Sequence, residues 1–130
     1  MLSFKYGIIN RLYYIKDFDM FKRLDFILEK YEELSMLVSD PEVISDQERW
    51  RKYMKELGEL EPIVQAYKEY KKTEEDLAGA KEMLSENDEE IREMAKMEIS
   101  DCEEKLEKLE NELKILLLPK DPNDDKNVYL

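Results

Sequence analysis

Apolar residues recur at helical spacing along most of this chain. The clearest run lies in residues 87–118, where Ala95, Ile99, Cys102, Leu106, Leu109, Leu113 and Leu116 follow one another at alternating steps of four and three. That is a heptad seam, and nearly everything between its members is charged. Such a helix carries one narrow apolar stripe and needs a partner helix to cover it. Upstream, Phe21, Leu24, Ile27, Leu28, Tyr31, Leu34 and Val38 keep the same kind of spacing and predict a first helix over about residues 18–38. Asp17 or Asp19 is its expected cap. Ser39-Asp40-Pro41 ends it, because proline disfavours helix in the residue before it. Asp40 and Pro41 then serve as N-cap and first residue of a short helical turn through Val43.

Ser45-Asp46-Gln47-Glu48 reads as an S-x-x-E capping box and starts a long helix. Its seam is Trp50, Tyr53, Leu57, Leu60, Val64 and Tyr67. Pro62 interrupts that seam, and a proline inside a helix predicts a kink or a restart near Glu61. After Tyr67 the stripe slips to Tyr70, Leu77 and Leu84 with Glu74 at the intervening place, a stammer in the heptad. The helix is expected to end near Ser85, with Asn87 and Glu90 capping the next one.

Only a few residues join these last two helices, so they are antiparallel neighbours. The expected fold is all-α: a long antiparallel helical hairpin, coiled-coil-like, with an N-terminal helix packed along its base near Trp50, Tyr53 and Tyr67. The hairpin tip falls at Glu86, Asn87 and Asp88. Residues 20–118 form the helical domain, residues 1–19 a poorly ordered extension, and residues 119–130 a connector with the start of a further domain. The extension is aromatic and more basic than acidic, and Gly7 and Asn10 should interrupt any helix there. It can be read as an amphipathic arm for a membrane or partner surface, or as a tail ahead of the domain. The tail is preferred because Met20 opens a well-patterned helix.

Charge narrows the function classes. The chain has 130 residues, a net charge of −12 and 42% charged residues. A strongly acidic chain lacks the broad basic footprint of a DNA- or RNA-binding protein and suits a basic partner. There is no histidine, which removes histidine-based acid/base and nucleophilic catalysis and most zinc sites. One cysteine, Cys102, excludes an internal disulfide and sits on the seam as a small apolar residue. No apolar run reaches the ~20 residues that span a bilayer, and no signal peptide is recognisable, so a cytoplasmic protein is expected.

Candidate chemistry is sparse. Asp121, Asn123 and Asp125 match the first, third and fifth places of a calcium-binding EF-hand loop, but Lys126 stands where glycine is required. No phosphate-binding glycine loop occurs. Carboxylates on a thin helical hairpin lack the concave, partly dry site that acid/base catalysis needs. Lys71-Lys72 and the Arg49, Arg51 and Lys52 group are small basic spots that can be read as partners of acids one turn away or as RNA contacts, and the first is expected. The methionines, Met83, Met94 and Met97 among them, are expected to fill packing gaps. No catalytic residue, metal site or cofactor is expected.

Three segments carry a family likeness. MFKRLDFILEKYEELS from Met20, SDPEVISDQERWRKYMKELGELEPIV from Ser39 and KILLLPKDPNDDKNV from Lys114 resemble the N-terminal domain and connector of the bacterial peptide chain release factor 1 family, class I release factors. The resemblance covers about residues 20–127. It implies a place in translation termination at UAA and UAG codons. The family reads the codon with a Pro-x-Thr tripeptide and promotes peptidyl-tRNA hydrolysis with a Gly-Gly-Gln loop. Neither motif is present here: Thr73 is the one threonine and follows a lysine pair, and Gly7, Gly58 and Gly79 are isolated. The expectation is a ribosome-docking module without hydrolytic activity of its own, truncated before the codon-reading domain. The resemblance implies a basic ribosomal protein near the stalk base as partner, met by Glu86, Asn87 and Asp88. No DNA or membrane partner is expected, and the chain is expected to be a monomer. The alternative is a stand-alone acidic coiled-coil scaffold, since a heptad does not say whether its partner lies in the same chain.

Overall fold

The computed structural model describes the backbone of residues 2–119 and the side chains of residues 19–119. Four helices follow in order: α1 (Leu2–Leu37), α2 (Pro41–Ser45), α3 (Gln47–Met83) and α4 (Glu89–Leu116). No strand occurs among the described residues, and the all-α expectation holds. Backbone contacts divide the chain into two compact units, residues 1–65 and 66–130, and α3 runs through the boundary.

In the first unit α1 begins at Leu2, not near Phe18. Asp17 and Asp19 therefore lie inside the helix instead of capping it, and Gly7 and Asn10 do not break it. A single glycine costs a helix only about 1 kcal/mol, which a long helix tolerates. Whether residues 1–19 act as a tail or an arm turns on side chains that, Asp19 apart, lie outside the described residues. Further along, α1 buries Leu24 and Leu34, with Phe21, Ile27, Leu28, Tyr31 and Val38 half-buried, on the predicted stripe. The Tyr31 hydroxyl donates to Glu61 at 2.6 Å, joining α1 to the N-terminal half of α3. That hydrogen bond raises the Tyr31 pKa above its ordinary value.

The short link works as expected. Asp40 accepts from the Glu42 N–H at 3.0 Å as N-cap of α2, Pro41 follows it, and Val43 is buried. The start of α3 differs by one residue. Asp46, not Ser45, caps it by accepting from the Arg49 N–H at 3.3 Å. Ser45 belongs to α2 and its hydroxyl donates back to the Glu42 carbonyl, so it is not available as a cap. Leu57 and Val64 are buried on the predicted α3 seam, Tyr53 and Leu60 half-buried, and Trp50 stays at its exposed edge.

Pro62 lies inside α3 and no restart occurs. Proline withdraws one N–H, the one that would reach the Gly58 carbonyl four residues earlier. Gly58 and Pro62 are both exposed, and the helix continues through them.

In the second unit, the C-terminal part of α3 and α4 form the antiparallel hairpin, and Lys105 on α4 is ion-paired to Glu69 on α3. On α4 the predicted seam is the buried one: Ala95, Cys102, Leu109 and Leu113 are buried, and Ile99, Leu106 and Leu116 half-buried. On α3 the slip after Tyr67 is present: Val64, Tyr67, Tyr70 and Thr73 face inward at successive steps of three, with Ala66 beside them. Beyond it the inward positions are Leu77 and Ala80, while Glu74 and Leu84, expected inward, are exposed. Sequence reasoning followed the large side chains and overlooked the small Thr73 and Ala80. Thr73 is buried without penalty because its hydroxyl donates to the Glu69 carbonyl at 2.8 Å. The surface pairs Glu104–Lys108 and Glu110–Lys114 form at 3.7 and 3.6 Å, worth a few tenths of a kcal/mol each by the usual measure of such pairs. Residues 120–130, with the EF-hand-like Asp121, Asn123 and Asp125 and the expected strand start, lie outside the described residues.

Candidate functional site: the turn between α3 and α4

The turn is built by short-range hydrogen bonds. α3 ends at Met83, two residues earlier than expected. The N–H groups of Leu84, Ser85 and Glu86 reach back three residues to Lys81, Glu82 and Met83, each at 3.2 Å. Asp88, not Asn87, caps α4: its carboxylate accepts from the Glu90 N–H at 2.9 Å. With Glu89 and Glu90 it also puts negative charge at the positive end of the α4 dipole. Arg92 reaches back and donates to the Glu86 carbonyl at 2.8 Å, closing the turn from the other side.

Glu86, Asn87 and Asp88 are thus together at an exposed turn, with Asp88 committed to capping. What surrounds them was missed from sequence. Met83, Leu84, Ile91, Met94 and Met97 are all exposed, the last two at 70%. Met83, Met94 and Met97 therefore do not fill gaps, because they lie off the seam that runs through Ala95 and Cys102. The signal was present in the sequence: Ile91, Met94 and Met97 recur every three residues, a second apolar stripe beside the first. Glu89, Glu90 and Glu93 line an open depression with Met94. Residues 82–93 hold six acids and one base, Arg92. The turn is an apolar patch inside an acidic rim.

Other groups are committed to structure. The Cys102 thiol is buried and donates to Glu98 at 3.6 Å. Burial first, then the charges of Glu98 and Asp76, push its pKa up, so it stays a thiol at neutral pH. No buried side-chain nitrogen or oxygen among the described residues lacks a hydrogen-bond partner. No helix among the described residues is long and apolar enough to cross a membrane.

The basic spots behave in two ways. Arg49 donates to the Tyr53 hydroxyl at 3.3 Å, and the Lys71 ammonium lies 4.7 Å from the Tyr67 ring centre. Arg51 and Lys52, expected to pair with acids one turn away, make no ion pair with any described residue, and neither does Lys55.

These features define an all-α helical-hairpin domain whose exposed turn is suited to contact. Residues 27–130 match the PCRF domain family, and the chain belongs to it. It is 61% identical over 113 residues to peptide chain release factor 1 of Alkaliphilus oremlandii, covering 85% of this chain and 32% of that protein. It is 54% identical over 112 residues to peptide chain release factor 1 of Clostridioides difficile, covering 85% and 32%. Against the protein of the same name from Clostridium botulinum strain Hall it is 58% identical over 112 residues, covering 85% and 31%. The chain spans about a third of the length of these curated relatives. No solved structure matches it. The family likeness read from the three sequence segments is borne out, and the stand-alone scaffold gains no support from these matches.

Proposed function

We propose that this chain serves translation termination as a docking domain, with the α3–α4 turn meeting a basic protein of the ribosome. The observation that carries this reading is the exposed patch of Met83, Leu84, Ile91 and Met94 within the acidic rim of Glu86, Asp88, Glu89, Glu90 and Glu93. Apolar side chains supply contact area, and an acidic rim orients and speeds association with a basic partner. Methionine suits such a surface because its unbranched side chain adapts to the partner. The relatives' name supplies the process, termination of translation. Docking is the whole contribution of this chain: the stop codon is read and the peptide released elsewhere than on this hairpin, and the chain works as a monomer in the cytoplasm.

Cosedimentation with ribosomes tests the proposal. The chain is expected to pellet with them, and Met94→Glu together with Glu90→Lys is expected to abolish pelleting while helicity is retained. Undiminished pelleting of that double variant overturns the assignment to the turn. A release assay on peptidyl-tRNA with the chain alone is expected to show no stop-codon-dependent hydrolysis.

A further inference from the structure

A second surface, of opposite charge, lies on the first unit. Residues 47–58 of α3 hold four cations, Arg49, Arg51, Lys52 and Lys55, and two acids, Glu48 and Glu56, in a chain of net charge −12. At 3.6 residues per turn, Gln47, Arg51, Met54, Lys55, Gly58, Glu61 and Pro62 share one face, with Trp50 along its edge. All of them are exposed, and Glu61, the one acid among them, accepts from the Tyr31 hydroxyl at 2.6 Å. Glu48 lies three residues before Arg51 and Glu59 four residues after Lys55, yet neither cation is ion-paired among the described residues. Gly58 leaves the face flat: a side chain added there would meet nothing within 4 Å. Pro62 leaves the Gly58 carbonyl on this same face without its usual helical donor.

We propose that this face of α3 binds a single-stranded RNA backbone, with Arg51 and Lys55 on phosphates and Trp50 stacked on a base. Cations beside an exposed aromatic are the elements of sequence-tolerant RNA binding, since every base offers a π-face. The flat position at Gly58 admits a close approach of the strand, and its carbonyl accepts from a ribose 2′-hydroxyl. An acidic protein would satisfy the cations alone and leave both Trp50 and that carbonyl without a role. The overall charge of −12 opposes broad electrostatic attachment but not a local contact of this size. Screening confines each charge to about 10 Å at 0.1 M salt. This assignment stands apart from the reading of the α3–α4 turn.

Trp50 is the single tryptophan of the chain, so its fluorescence reports the site directly. The full chain is titrated with an oligouridylate of about twelve nucleotides at about 50 mM salt. Saturable quenching is expected, with the binding constant falling on a log–log salt plot at a slope of about −1.4, two phosphates on a single strand. Arg51→Glu with Lys55→Glu is expected to weaken binding by about tenfold or more, and the milder Arg51→Gln with Lys55→Gln by less. Lys108→Glu, on α4, is expected to change it less than about twofold. Circular dichroism checks that each variant keeps its helicity. No quenching by RNA overturns the proposal. So does equal quenching by polyglutamate, which assigns the face to an acidic protein, or equal weakening by Lys108→Glu, which makes the attraction non-specific.

Discussion

The two units solve the same helix-packing problem with different side chains. The first buries large aliphatics: Leu24, Leu34, Val43, Leu57 and Val64. In the second, the buried positions nearest the turn are small, Thr73, Ala80, Ala95 and Cys102, and the large Leu77, Ile99 and Leu106 between them are only half-buried, with buried leucines from Leu109 on. Large residues bury more apolar area each, while small ones let helices approach closely and leave little area to gain. The charges divide likewise. In the second unit Lys96, Lys105 and Lys108 each hold a glutamate, whereas in the first Arg51, Lys52 and Lys55 hold none among the described residues. The three cations named in the second unit are held in pairs, and the three named in the first are not.

The largest effect that separates the units is expected at Leu24, fully buried in α1. Leu24→Ala removes a large side chain from a site that cannot fully collapse, so it should cost about 2–5 kcal/mol in urea unfolding. A loss below about 1 kcal/mol would mean that the first unit is not packed around its large side chains.

Ala95→Leu tests the other half of the contrast. Leucine is nearly as good a helix former as alanine and more apolar, so propensity and burial together forecast neutrality or a gain. Ala95 is 1% exposed on a close-packed seam. The expected outcome is instead destabilisation by about 1–3 kcal/mol through overpacking. A variant as stable as its parent would erase the distinction between the two seams.

The caps come next in size. Asp88→Ala should cost about 1 kcal/mol, and Asn87→Ala a few tenths at most, measured as thermal stability of the pair. The reverse order would return the cap to the position that sequence reasoning gave it.

That displaced cap shows where sequence reading stops. The heptad on α4 was legible throughout, because every member is an apolar residue among charges. On α3 it was legible only where the members are large. Thr73 was passed over as polar and Ala80 as featureless, so the stripe was placed correctly at Tyr70, where it slips, and wrongly at Glu74 and Leu84. The caps were right at Asp40, where proline fixes the position, and one residue early at Ser45 and Asn87. In both cases an acidic neighbour competes for the same orphan N–H groups, and local propensity does not rank them. The site was half legible. The charged turn could be seen in the sequence, but the apolar patch beside it could not, because periodicity says which residues line up and not how much partner helix is there to cover them.

The smallest effect tests the Lys105–Glu69 pair of the second unit. The hydrogen bond from Lys105, followed by its charge, holds the Glu69 carboxyl below its ordinary value of 4.5, and the same bond raises Lys105 above 10.5. A depressed carboxylate stabilises the fold fully above its unfolded pKa and loses that contribution as pH falls through the folded one. A raised ammonium contributes fully below its unfolded pKa and loses it as pH climbs through the folded one. The pair therefore supports the hairpin on a plateau between about pH 4.5 and 10.5 that fades at both ends. Both side chains are about half exposed, 53% and 44%, so water and salt screen them and the effect should fall below that of the cap. Lys105→Ala is expected to move the Glu69 titration, followed by carboxyl NMR, up toward 4.5 and to remove the plateau from the stability–pH curve. Arg51→Ala in the first unit, with no carboxylate in its grip, should leave that curve unchanged. A Glu69 titration that stays put in Lys105→Ala would show that Lys105 is no more held than the cations named in the first unit.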